Sequence, residues 1–264
     1  MEVIDLAAVP SRRGLLRGVL DRSIDGVIVR GFLSPELVEV AARRLDAVQE
    51  GAEPVVPGAA IRMIGRPLQW SDPGSAQYRR ADAEVRAACA ALFGPALDVV
   101  GHAHELLRAL GDLPLDIPRT PGGASHCPVT LRLIPPGACV GPHHELAQLA
   151  FPSYTHLRAA LDPSALFSFY TSIVPAERGG ELLVYGLEHG DPGSDALRDG
   201  DGQARPLLDR FPPERVDLGS GDLVVFDSGR LAHQVTTVEG ARTRCTLGGL
   251  LARDRGRGRL LTWS

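Results

Sequence analysis

The chain contains no lysine: all 28 basic residues are arginine. Against 32 aspartates and glutamates this leaves a formal net charge of −4, which speaks against a nucleic-acid binder that works by neutralising phosphates. The missing lysine fits a G+C-rich coding sequence and needs no chemical reason. Cysteine is scarce, and Cys89, Cys127, Cys139 and Cys245 are widely spaced with no Cys-x-x-Cys. Neither a disulfide framework nor a zinc knuckle is indicated, and a reducing compartment fits. The start, Met1-Glu2-Val3-Ile4-Asp5, is acidic and lacks the apolar stretch of a signal peptide. No apolar run approaches the ~20 residues needed to span a bilayer. The expectation is a cytoplasmic protein with neither a membrane nor a nucleic-acid partner; oligomeric state is not legible.

What is present suits one large domain over 1–264: 44% of the residues are apolar, enough for a sizeable core. Thirty glycines and 21 prolines favour a loop-rich β or α+β fold over a helix bundle. Residues 1–124 read as mainly helical after a short buried strand at Gly26–Leu33. Ser34-Pro35 supplies an N-cap and a first-turn proline, with Leu37, Ala41, Leu45 and Val48 at helical spacing. Two more helices are expected over 81–92 and 96–110, and 51–74 reads as loop. From about Ser125 the period changes to that of strands, expected over 129–134, 165–174, 180–185, 215–218, 222–226, 234–238 and 242–251. Short strands with Gly/Pro turns suggest a jelly roll. Two inserts interrupt it: 146–163, expected to be helical, and 186–214, a surface loop or lid. With 70–93 they are the expected walls of a pocket.

The chemistry centres on Gly141-Pro142-His143-His144-Glu145 and a distant His233. Residues two apart on an extended segment share a face, so His143 and Glu145 can reach one ion while His144 points away. Two histidines and a carboxylate on one face of a metal leave the other face open for co-substrate and oxygen, the pattern of non-haem iron oxygenases. Arg242, Arg244 and Thr246 follow His233 on one expected strand face, where an arginine can bind a dicarboxylate bidentately. Arg132, in step with Thr130 and Ile134, is a further candidate for the pocket. Taken singly, each residue has a plainer reading: a salt bridge for Glu145, a core histidine for His233, solvated arginines on a strand edge. His104-Glu105 and His144-Glu145 each lack the second histidine of a zinc-protease His-Glu-x-x-His. His126, His156 and His189 are expected to be solvated, and Phe167, Phe169 and Tyr170 are candidates to touch a ligand.

Specific strings carry a resemblance that runs nearly end to end. They include Arg22-Ser23-Ile24-Asp25-Gly26, Leu113-Pro114-Leu115-Asp116-Ile117-Pro118, Gly179-Gly180-Glu181-Leu182-Leu183, Gly221-Asp222-Leu223-Val224-Val225-Phe226-Asp227 and Thr246-Leu247-Gly248-Gly249. The sequence resembles the non-haem iron, 2-oxoglutarate-dependent halogenases that chlorinate hapalindole- and welwitindolinone-type alkaloids. The resemblance implies a double-stranded β-helix with the helical half packed on it, and Fe(II), 2-oxoglutarate and O2 as cofactor and co-substrates. It implies iron on His143 and His233, and 2-oxoglutarate held by Arg244, with Arg242 as the fallback. It also implies a departure: those halogenases carry glycine, leaving room for chloride, where this chain has Glu145. Hydroxylation of a free small molecule, a natural-product intermediate or amino acid derivative, is therefore expected. The alternatives are halogenation or another iron-mediated oxidation, or a catalytically silent jelly-roll binding module.

Overall fold

The structure, a computed structural model, describes residues 1–198, 205–256 and 258–264. Its centre is a large sheet in which Leu223–Phe226, Leu161–Val174, Arg244–Asp254 and Thr130–Ile134 lie side by side, all antiparallel. A second sheet runs Glu214–Val216, Leu182–Glu188, Leu231–Val235, Val140–His143. The two sheets form the double-stranded β-helix, and alternation along the strands divides their duties. Leu223 and Val225 face the helices, whereas Val224 and Phe226 meet Leu182, Val184 and Leu231 between the sheets. In Thr130–Ile134, Leu131 and Leu133 likewise join the helix-side core, which turns Thr130 and Arg132 inward.

The helical half covers the outer face of the large sheet. Helix Pro35–Gln49 starts as expected, with the Ser34 hydroxyl accepting from the Leu37 N–H at 3.4 Å. Helix Ala76–Phe93 begins five residues earlier than the apolar spacing suggests, because Ser75 caps it by accepting from the Tyr78 N–H at 3.1 Å. Ser75→Ala is expected to lower unfolding stability by about 1 kcal/mol, measurable in a urea titration. The third helix, Val99–Gly111, is capped by Asp98. Among the described residues no helix is long and apolar enough to cross a membrane.

Several expected boundaries move. The 51–74 loop contains strands Glu53–Pro54 and Arg62–Ile64, which extend the large sheet beyond Thr130–Ile134. Glu2–Asp5 adds a parallel strand at the opposite edge. The insert 146–163 is not one α-helix: it holds 3-10 turns at Glu145–Ala150 and Pro152–Tyr154, and its end already belongs to Leu161–Val174. Pro152 cannot donate to a continuing ladder, which breaks the Ala/Leu-rich run. Of the expected lid 186–214, the first residues complete strand Leu182–Glu188, a 3-10 turn spans Ser194–Arg198 and a short helix Arg205–Leu208. Residues 199–204 lie outside the described residues.

Candidate metal centre and co-substrate pocket

Strand pairing brings the distant histidine to its partner. Val140–His143 runs antiparallel to Leu231–Val235 with His143 directly opposite His233, and their ring centroids lie 4.2 Å apart. His233 thus sits mid-strand rather than at a strand start. His144 continues extended (φ −118°, ψ 132°) before the chain turns into the 3-10 helix at Glu145. The Glu145 N–H donates to the Ser228 carbonyl at 2.9 Å, which pins the turn. Alternation then does what the spacing predicts. His143 and Glu145 converge, and His144 turns away to pair its Nε2 with the Leu187 carbonyl at 3.2 Å.

The three side chains present one cluster, with candidate ligand atoms all within 4.8 Å of one another. Glu145 Oε1 lies 3.5 Å from His143 Nε2 and 3.9 Å from His233 Nε2. Each histidine Nδ1 faces the carbonyl two residues back, Gly141 at 2.8 Å and Leu231 at 3.0 Å. A carbonyl only accepts, so both Nδ1 atoms carry the proton and both Nε2 lone pairs point into the cluster. Glu145 Oε2 is buried with no hydrogen-bond partner. A buried carboxylate oxygen left alone is costly, and a cation bound at the cluster removes that cost. The donor set, two imidazoles and one carboxylate, fits a divalent iron with positions left open. Burial alone would push the Glu145 carboxyl up, but the adjoining imidazoles of His143 and His233 outweigh it and hold it below the usual range. Burial pulls His143 down, yet the Glu145 carboxylate reverses this to a net rise, whereas burial and the charge of His143 leave His233 lowered.

Beside the cluster lies an inner cavity of about 90 Å³ whose floor is the inward face of the large sheet. Thr246 is directly opposite Arg132 across the strand pair, and Arg244 is two residues along on the same face. All three line the cavity, with Ser168, Tyr170 and Glu145. Arg244 is buried, 5% exposed, with its guanidinium carbon 5.4 Å from the centre of the Tyr170 ring. Among the described residues neither Arg132 nor Arg244 has a carboxylate salt-bridge partner. Burial lowers the Arg132 guanidinium pKa; the charge of Glu145 opposes this, and that of Arg244 adds to it. Two cations facing one carboxylate leave the cavity net positive, a setting for an anionic ligand. Arg242 is exposed and precedes the strand, which begins at Arg244, so it does not join them.

An outer cavity of about 440 Å³ opens over the cluster and shares Gln69, Trp70, Arg132, Glu145 and Gln148 with the inner one. Its walls differ from the expected segments. Of 70–93 only Trp70 contributes, because the helix after it packs on the opposite sheet face; Val55, Ile61 and Met63 take its place. Phe151 from the first insert and His189, Ser194 and Leu197 from the second complete the walls. Tyr170 lines the inner cavity, Phe167 belongs to the helix-side core, and Phe169 touches both. Sequence reasoning missed Gln69 and Ser168, and covered Gln148 only as part of the expected wall segment 146–163. Gln148 had a signal: in a 3-10 helix residues three apart eclipse, which stacks it over Glu145.

His126 corrects an expectation. It is fully buried rather than solvated, with Nδ1 2.7 Å from the Tyr78 hydroxyl and Nε2 2.9 Å from His156 Nε2. Burial, aided by His156, pushes its pKa down to about 4 from an ordinary 6.5. The folded state thus resists a proton that the unfolded state accepts, so its stabilising effect is complete above pH 6.5 and fades as the pH falls toward 4. Stability is expected to drop by roughly 2–3 kcal/mol across that window from this group. Urea titrations at stepped pH check this, and His126→Gln should flatten that part of the profile.

Comparison with known proteins agrees with this geometry. Residues 3–264 match the family described as "Carrier-protein-independent halogenase WelO5". The chain belongs to that family. With it, the protein is a 2-oxoglutarate-dependent non-haem iron enzyme. No curated protein sequence matches the chain. Among solved structures, an N-substituted L-amino acid dioxygenase from Burkholderia ambifaria AMMD superposes with a TM-score of 0.59 at 14% identity, covering 93% of this chain and 89% of that one. The alpha ketoglutarate dependent carbocyclase SnoK from nogalamycin biosynthesis gives 0.53 at 16% identity, covering 90% and 85%. At these identities the likeness shows the shared fold.

Proposed function

We propose that this member of the halogenase family hydroxylates an unactivated C–H bond of a free small molecule, a natural-product intermediate or an amino acid derivative. The observation that carries the reading is Glu145. The resembled halogenases have glycine at this position, whereas here a carboxylate lies 3.5 and 3.9 Å from the two histidine Nε2 atoms with its second oxygen buried and unpaired. It fills the place a halide would need and brings a negative charge that repels one. His143, Glu145 and His233 hold the iron, and Arg244, with Thr246 and Arg132, binds 2-oxoglutarate. When bound, iron and 2-oxoglutarate supply the oxidising chemistry: R–H, O2 and 2-oxoglutarate give R–OH, succinate and CO2. The protein's part is placement and exclusion of water. The Gly141 and Leu231 carbonyls orient the imidazoles, the arginines neutralise a dicarboxylate, and the outer cavity presents the substrate to the cluster. Its volume lies within the range of small-molecule sites.

The second reading is halogenation, which family membership favours. The test is turnover of a metabolite panel with and without chloride, read by mass spectrometry. A product heavier by one oxygen and indifferent to chloride is expected; a chlorinated product from the intact protein would sink the reading. A silent binding module predicts no succinate release with any substrate.

A further inference from the structure

A buried relay behind the pocket fixes the polarity of one of its side chains. Gln148 lines both cavities, on the 3-10 helix that begins at Glu145. Its Oε1 lies 3.0 Å from the hydroxyl of Tyr154. Tyr154 is fully buried, and its hydroxyl oxygen lies 3.4 Å from Trp263 Nε1. An indole N–H can only donate, so Tyr154 accepts from Trp263. The tyrosine's own proton then needs an acceptor, and the one within reach among the described residues is the carboxamide oxygen of Gln148. The amide is thereby locked with its oxygen toward Tyr154, leaving the NH2 group as the end free for the cavities. That NH2 group has no protein acceptor among the described residues.

We infer that Gln148 is a binding residue for 2-oxoglutarate, donating its amide N–H to the 2-oxo acid end of the co-substrate beside Glu145, with Tyr154 and Trp263 as positioning residues. The inference rests on the proposed co-substrate site. Arg244 lies with Thr246 on the sheet floor, whereas Gln148 is placed one 3-10 turn from the carboxylate ligand. A donor at that point matches the keto and carboxylate oxygens of a 2-oxo acid, which only accept. It also explains why the amide polarity is fixed from behind by two buried aromatic residues. Were it reversed, a carbonyl oxygen would face those acceptors.

The test is anaerobic titration of the Fe(II)-loaded protein with 2-oxoglutarate, following the metal-to-ligand absorption band. Gln148→Leu is expected to raise the apparent Kd about tenfold, the loss of one hydrogen bond to a charged group. Gln148→Glu, nearly isosteric, puts an anionic oxygen where the donor was and should weaken binding more than leucine does. Tyr154→Phe keeps the packing but frees the amide to turn, and should raise Kd by roughly threefold. Combined with Gln148→Leu it should add almost nothing, because both remove one interaction. A purely structural role for Tyr154 predicts additive losses. If the parent protein shows the band and both Gln148 variants bind within twofold of it, the inference is overturned. If the parent shows no band, the proposed co-substrate site itself fails.

Discussion

Replacing Glu145 by alanine is expected to cut hydroxylated product by at least about a hundredfold, because losing a ligand costs more than losing the residues that orient one. The loss should be in turnover, since Arg244 and Arg132, the proposed 2-oxoglutarate arginines, are untouched. The variant also removes a buried negative charge whose second oxygen lacks a partner, which opens the position to a small anion. With chloride present, Glu145→Ala or Glu145→Gly is therefore the variant in which chlorinated product is to be sought. Mass spectrometry of both products, with metal content measured alongside, separates loss of chemistry from loss of iron. Full hydroxylation by Glu145→Ala would remove Glu145 from the ligand set.

The second large effect is at Arg244. Its guanidinium is buried, 5% exposed, without a carboxylate salt-bridge partner among the described residues, and on the proposed reading the 2-oxoglutarate carboxylate supplies one. Removing one side of such a pair costs ~2–5 kcal/mol. Arg244→Leu is expected to raise the KM for 2-oxoglutarate by about a hundredfold. The same substitution relieves an unpaired buried charge in the ligand-free protein, so its melting temperature without 2-oxoglutarate should not fall. The parent, by contrast, should be stabilised by added 2-oxoglutarate, as any ligand that binds only the folded state stabilises it. Arg242→Leu, at an exposed position ahead of the strand, should change neither quantity.

These contrasts show where the chain is legible by eye and where it is not. His143 and Glu145 could be paired because strand alternation is a local rule, and it holds through His144 despite the turn that follows. The choice of Arg244 over Arg242 could not come from alternation, since both have the same parity. It depends on where the strand begins, a boundary set by pairing with Thr130–Ile134. The outer pocket is legible only in part. Its lower wall uses Val55, Ile61 and Met63, from a Gly/Pro-rich stretch that reads as loop, yet Arg62–Ile64 is drawn into the sheet by its neighbour. The burial of His126 was invisible because its partners, Tyr78 and His156, lie 48 and 30 residues away. A loop histidine looks solvated until the elements around it are packed. Likewise, no local pattern links Gln148 to Trp263, which meet through Tyr154 only after the C-terminal strand Leu260–Trp263 has paired with Arg244–Asp254.

The central claim is that His143, Glu145 and His233 hold iron next to a 2-oxoglutarate site built on Arg244. Its most direct test is the anaerobic absorption spectrum of the protein with Fe(II) and 2-oxoglutarate. The predicted result is a metal-to-ligand band that saturates at one iron per chain and is lost in His233→Ala. Its dependence on 2-oxoglutarate should shift about a hundredfold in Arg244→Leu. No band in the parent, or an unchanged band in His233→Ala, would contradict the account.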